Sequence, residues 1–246
     1  ALDMDSLNKL YSYYKCGKKQ VVAEQYREYP NIKASLKLIN EGIIGDVSCV
    51  NVSLAHEYHG ISLIRAFFGV NPGEKYTISA KTYEFPTTQT LTRYDKFTDG
   101  RIAGKKRCVA TFEFESGKVA WYDFDSEQYR SPIRKNTLKV QGVRGELIDE
   151  CVYYLDVINT GNSNPNFEKI REIKKISFNN KIIYEPEFGL CGLSEDETAI
   201  AVMMKNTAEY SRGNASAPYS MEDALADAYA AILLKKAVEM GEVVHS

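Results

Sequence analysis

Apolar residues recur at helical spacing near the start of the chain, at Leu7, Leu10, Tyr11 and Tyr14. Asp3 or Asp5 stands in position to cap that run, and Gly17 suits a left-handed stop. The spacing predicts a helix. A short apolar run follows, Gln20-Val21-Val22-Ala23 within Lys19 to Tyr26, and predicts a buried strand stopped by Pro30. Asn31 is placed to cap a short helix carrying Ile32, Leu36, Leu38 and Ile39, closed by Gly42. From Asp46 to Ala55 the chain alternates and is rich in valine, which predicts a strand. It enters His56-Glu57-Tyr58-His59-Gly60 without a turn signal. A helix then carries Ile61, Leu63, Ile64, Ala66, Phe67 and Phe68 and ends at Gly69.

The middle of the chain reads as β-structure. Tyr76 to Phe85 predicts one strand, and Cys108 to Glu115 with Lys118 to Asp125 predicts a hairpin about Ser116-Gly117. Ala110, Phe112 and Phe114 share one face of that hairpin, and Val119 and Trp121 share a face of the partner strand. Arg101 to Arg107, a mixed charged run, reads as a solvated loop. Asn136 to Val143 predicts a strand. Ile170 to Phe178 and Lys181 to Tyr184 flank a turn at Asn179-Asn180, and Asn159 to Asn166 is a loop. Two helices close the chain. Ser194 with Glu197 forms a capping box, Ser220 with Asp223 a second, and Gly241 lies past the end. Strands in a block with helices at the flanks predict an α+β fold: an open, mostly antiparallel sheet with helices on one face. The other face is then solvated or covered by a partner. The aromatic strand Trp121, Tyr122, Phe124 favours a partner, in a homodimer or homotetramer.

Charge and composition narrow the chemistry. A net charge of −2 over 246 residues offers no basic face for nucleic acid. No apolar run reaches the ~20 residues of a membrane span, and no leader pattern opens the chain. Five cysteines, odd in number and never in a C-x-x-C, read as free thiols in a reducing cytoplasm. The 17 tyrosines read as core and interface filling. The sequence has no G-x-G-x-x-G, Walker loop, G-x-S-x-G or H-E-x-x-H. In His56-Glu57-Tyr58-His59 the histidines are three apart with no further ligand cluster, so no metal site is expected.

Three stretches, in this order, resemble the C-terminal two-thirds of the glucose-fructose oxidoreductase and inositol dehydrogenase family, Gfo/Idh/MocA. Ala1-Leu2-Asp3 through Glu24-Gln25-Tyr26-Arg27-Glu28-Tyr29-Pro30 is similar to the last helix and strand of that family's nucleotide domain. Tyr58-His59-Gly60-Ile61-Ser62-Leu63-Ile64-Arg65, then Gly69, is similar to its histidine-bearing helix start. Tyr219-Ser220-Met221-Glu222-Asp223-Ala224-Leu225 through Glu242-Val243-Val244 resembles its closing helix. The resemblance implies hydride transfer between NAD or NADP and a sugar, sugar derivative or polyol. It implies that residues 1–30 are the terminal helix and strand of a dinucleotide-binding domain, and that 31–246 form a substrate-binding and oligomerisation domain. The cofactor's main site, with the family's catalytic lysine, would lie in a unit these residues do not include.

The resemblance puts His59 at the position of the family's catalytic histidine. Bottom-up, an imidazole suits the removal of a hydroxyl proton, while a backbone-bonded histidine at a helix start is the plainer alternative. The family often carries an aspartate four residues earlier; here that position is Ala55, with His56 beside it as a possible base or donor. Tyr58 is a further polar candidate. Gln25, Tyr26 and Arg27 follow the expected strand's end, where either substrate contact or a linker salt bridge would suit them. Arg130 and Arg134 in Gln128-Tyr129-Arg130-Ser131-Pro132-Ile133-Arg134 have the fork that fits an anionic sugar substituent, against a solvated loop as the alternative. A non-catalytic ligand-binding or dimerisation module, or a pseudo-oxidoreductase, is the competing reading.

Overall fold

A computed structural model describes residues 3–155, 169–172, 177–189 and 191–246. The loop expected at Asn159 to Asn166 lies outside the described residues. Helix α1 (Met4–Lys15) begins where the Asp3 carboxylate accepts the Ser6 N–H at 2.8 Å. The strand expected over Lys19 to Tyr26 is corrected: residues 18–25 have no regular secondary structure, and Tyr26–Glu28 is a single 3-10 turn. Its apolar residues suit a strand, but among the described residues no neighbouring strand offers the ladder that a strand's N–H and C=O groups require. Helix α2 (Pro30–Asn40) also starts differently. Pro30 occupies its first turn, where a missing N–H costs nothing, and no side chain caps it, so Asn31 is not the cap.

Strand β1 (Val47–Ser53) feeds α3 (Glu57–Phe68), which closes on Gly69 at φ +63°. A long hairpin of β2 (Tyr76–Thr88) and β3 (Ile102–Phe114) follows, then β4 (Val119–Asp125). The charged run at Arg101 to Arg107 is therefore mostly strand and not a loop, since its residues from Ile102 onward pair in unbroken register with β2. After β5 (Thr137–Gly142) come β6 (Gly145–Ile148), β7 (Cys151–Tyr154), β8 (Lys169–Glu172), β9 (Ser177–Phe178) and β10 (Lys181–Ile182). Asn179 and Asn180 join the last two at φ +49° and +64°, the left-handed geometry that asparagine tolerates. Helices α4 (Glu195–Arg212) and α5 (Met221–Met240) precede β11 (Val244–His245). The Ser194 and Glu197 capping box forms as the sequence predicts, whereas at α5 only half of the second box forms: Ser220 accepts the Asp223 N–H, and the short Asp223 carboxylate takes the Ser220 hydroxyl rather than its N–H.

The main sheet runs β11-β2-β3-β4-β1-β5-β6-β7-β8, antiparallel throughout except for the parallel β1–β4 pair. The architecture is the α+β one expected. On one face Val50, Ala120, Tyr122, Phe112 and Val140 pack under α2, α3 and α5 in a continuous core. Alternation sends the next residues to the opposite face. There Tyr83, Val109, Trp121 and Tyr153 are each between about 37% and 43–44% exposed. Tyr122 and Phe124, expected to help draw a partner, point instead into the core, leaving Trp121 as that strand's outward aromatic.

Candidate active site

The strand β1 delivers the chain to a tight corner before α3. Glu57, the first residue of that helix, takes a left-handed backbone at φ +38°, which is uncommon outside glycine. Its N–H donates to the Tyr122 hydroxyl at 2.8 Å, which holds the corner to the sheet. Gly60 permits the close approach. A Cβ there would stand 2.7 Å from the Tyr122 ring and 2.9 Å from the Ala55 carbonyl. The corner thereby presents His56, Tyr58 and His59 together on the first turn of α3.

These rings meet others from distant parts of the chain. The His59 ring centroid lies 4.1 Å from that of Tyr58, 4.5 Å from Tyr26 and 4.8 Å from His56, the two imidazoles standing edge to face at 85°. His59 is 8% exposed. Its Nδ1 lies 2.5 Å from Oε2 of Glu24, a buried carboxylate whose other oxygen accepts the Tyr26 N–H at 3.2 Å. His56 Nδ1 is 2.5 Å from the Tyr129 hydroxyl, which also accepts the His56 N–H at 3.0 Å and the Tyr26 O–H at 3.3 Å. Burial, then the neighbouring His59, holds the His56 imidazole below its ordinary value, favouring the neutral ring. Burial raises the Tyr26 phenol well above its usual range, and its bond to Tyr129 adds to this. Neither Nε2 has a protein partner among the described residues.

The structure thus gathers His59, His56, Tyr58 and Tyr26 of the sequence candidates. Gln25 immediately precedes the Tyr26–Glu28 turn and makes no side-chain cap bond. Arg27 points into the molecule: its guanidinium donates to the Ser62 carbonyl at 3.0 Å and the Tyr219 hydroxyl at 3.2 Å, and stacks on the Tyr219 ring. Its partners are a carbonyl and a phenol, so the structure shows neither the linker salt bridge nor a free fork. Behind Tyr219 the network continues to Asp227, which Arg65 also engages at 2.6 Å. Arg130 is exposed directly after Tyr129. Arg134 bonds the Thr87 hydroxyl at 3.2 Å and the Ile133 carbonyl, against the β2–β3 hairpin. Reading the sequence missed Glu24 and Tyr129. A lone acid inside an apolar run was the available signal for Glu24; none located Tyr129 beside His56. Next to Glu24, Tyr58 and Tyr219 opens a mostly apolar cavity of about 350 Å³.

A dinucleotide needs backbone N–H groups free of nearby negative charge for its phosphates. Among the described residues, four of the five α-helices carry acids in the first turn: Asp5, Glu57, Glu195 to Glu197, and Glu222 with Asp223. Those four starts do not fit the phosphates of a nicotinamide dinucleotide, and the fifth, α2, opens on Pro30, which has no N–H to offer.

No family model and no curated protein matches the chain. Solved structures do match its fold. An NAD binding oxidoreductase from Klebsiella pneumoniae shares 14% identity at a TM-score of 0.64, covering 100% of this chain and 71% of that one. Apo scyllo-inositol dehydrogenase from Lactobacillus casei shares 15% at a TM-score of 0.60, covering 100% and 69%. The transcriptional regulator Gal80p from Kluyveromyces lactis shares 15% at a TM-score of 0.65, covering 99% and 64%. The chain therefore has the fold of these solved structures, which is that of Gfo/Idh/MocA-type oxidoreductases and also of the regulator Gal80p.

Proposed function

We propose that this chain is the substrate-binding and oligomerisation part of an NAD(P)-dependent oxidoreductase acting on a sugar, sugar derivative or polyol. In this reading residues 1–30 are the end of a dinucleotide-binding domain and 31–246 the substrate domain. A separate unit holds the cofactor, since these helix starts are acidic; the cofactor, when bound, supplies the hydride chemistry. The observation that carries the reading is the buried His59 ring, boxed by Tyr26, Tyr58 and His56, with its Nδ1 held by Glu24 and its Nε2 without a partner among the described residues. His59 takes or returns the proton of a substrate hydroxyl, and Tyr58 and the His56 ring orient the ligand. In this reading Gln25 and Arg130, next in sequence to Tyr26 and Tyr129, also contact the ligand, while Arg27 and Arg134 are engaged by Ser62, Tyr219 and Thr87. The outward sheet face around Trp121 and Tyr153 meets a second copy, in a cytoplasmic homo-oligomer.

The test follows nicotinamide absorbance while polyols and keto-sugars are titrated into the full-length protein. Turnover that His59→Ala lowers by the ~10² to 10⁴ of a general acid–base residue supports the reading. No absorbance change with any polyol or keto-sugar refutes it. A second reading, a ligand-sensing module without turnover, is favoured by the likeness to Gal80p and by Ala55, a fully buried alanine where the family often has an acid. Calorimetry on residues 1–246 separates the two further: the oxidoreductase reading expects weak NAD(P) binding or none, and tight binding overturns it.

A further inference from the structure

Two imidazoles lie side by side in the site, and each has its Nδ1 engaged by a different partner. Counting hydrogens at those partners decides where each ring keeps its proton. Glu24 is 3% exposed, and its two oxygens receive the Tyr26 N–H and face His59 Nδ1. An ionised carboxylate can only accept. Opposite an ionised Glu24, a neutral His59 ring carries its hydrogen on Nδ1, which leaves a lone pair on Nε2. At Tyr129 the count runs the other way. A phenol has one O–H and two lone pairs. The His56 N–H takes one lone pair, and of the two remaining contacts the imidazole Nδ1 at 2.5 Å is nearer and a better acceptor than the Tyr26 hydroxyl at 3.3 Å, so the Tyr129 hydrogen goes to His56 Nδ1 and the Tyr26 O–H donates to the second lone pair. His56 therefore accepts at Nδ1 and carries its hydrogen on Nε2.

We infer that Glu24 and Tyr129 hold His59 and His56 in opposite tautomers, so that the site offers a ligand one acceptor, Nε2 of His59, beside one donor, Nε2–H of His56. Glu24 is a positioning residue. It reaches the ring from the segment before α2, not from the turn that carries His59, and it supplies the carboxylate that Ala55 cannot. The pairing suits a ligand with a hydroxyl to give up a proton and a neighbouring oxygen to receive one. The other ionisable groups at the two rings are Tyr26, Tyr58 and Glu57, and none of them bonds either Nδ1. The inference takes from the proposed function only that His59 moves the proton. Tautomers are read without turnover, so the two ideas can fail separately.

The experiment is two-dimensional ¹H–¹⁵N correlation of the imidazole nitrogens in the ¹⁵N-labelled chain, at a pH where the rings are neutral. The chain has three histidines, assigned by His56→Asn and His245→Gln. The expected result is an Nδ1–H pattern for His59 and an Nε2–H pattern for His56. Tyr129→Phe should return His56 to a tautomer mixture and leave His59 unchanged; Glu24→Gln should do the reverse. A wild-type His59 in the Nε2–H form would mean that Glu24 carries the proton and would overturn the inference, as would two rings in the same tautomer. Because the wild-type spectrum alone decides, a variant that fails to fold costs the test nothing.

Discussion

Replacing Arg65 with Met removes a guanidinium that is 5% exposed while keeping most of its aliphatic stem. In the wild type one nitrogen bonds Asp227 at 2.6 Å and the Asp223 carbonyl at 3.1 Å, and the other bonds the Asp223 carboxylate at 2.7 Å. Asp227 is 2% exposed, so without Arg65 it keeps only Tyr219 as a partner. Orphaning a buried charge in this way costs about 3–5 kcal/mol. Asp227→Asn should cost less, about 1–3 kcal/mol, because Arg65 retains Asp223, whose side chain is 28% exposed. Removing both charges, in Arg65→Met with Asp227→Leu, should recover part of the loss. The sign of the pH effect follows from burial, which pushes the Asp227 carboxyl above 3.8 while Arg65 pulls it back. With Arg65 gone the rise is larger. An acid whose folded pKa exceeds its unfolded one binds extra protons when folded, so Arg65→Met should regain stability as pH falls through that window and lose it as pH rises. Urea unfolding read by the single tryptophan, Trp121, and by circular dichroism measures both effects. A cost for Arg65→Met under about 1 kcal/mol, or a larger cost for Asp227→Asn, would refute the reasoning.

Acid stability should also report on His56. Burial lowers its pKa below 6.5, so the folded chain binds fewer protons there than the unfolded one. Its contribution is whole above pH 6.5 and is lost as pH falls toward the folded value, and His56→Asn should flatten that limb of the urea-midpoint curve; an unchanged limb would assign it elsewhere. Burial pushes the Cys108 thiol up to about 11. Peptide mapping after mild alkylation near neutral pH should therefore find Cys108 reacting roughly two orders of magnitude more slowly than the exposed Cys16, and equal rates would contradict that burial. Trp121→Glu should lower the mass seen by sedimentation if the outward sheet face joins two copies, and an unchanged oligomer would remove that face from the interface. Gly60→Ala should destabilise by about 1–3 kcal/mol, because its Cβ would press on Tyr122 and the Ala55 carbonyl; a thermal midpoint like the wild type's would show that the corner yields.

Residues 1–246 settle much of their own local structure. Asp3, Ser194 and Ser220 cap helices as their spacing predicts, Gly69 and Gly241 end them, and Asn179-Asn180 makes its turn, because caps and turns are satisfied within a few residues. Periodicity likewise marks α3, α5 and the inward face of the β3–β4 hairpin, and with them the fold class. It fails where pairing decides. Gln20 to Ala23 looks like a strand and has no ladder, while Ile102 to Arg107 looks like a loop and has β2 along its whole length. The site divides in the same way. His56, Tyr58 and His59 are legible together because one helical turn carries them. Glu24 and Tyr129 lie 35 and 73 residues from the histidines they bond. Hydrogen bonds across such separations are set by how the segment before α2, the α3 corner and the turn after β4 pack on one another. The sequence by itself determined that an imidazole would stand at this corner; only the tertiary structure decided which partner each ring nitrogen meets, because those partners come together through the packed core and not along the chain.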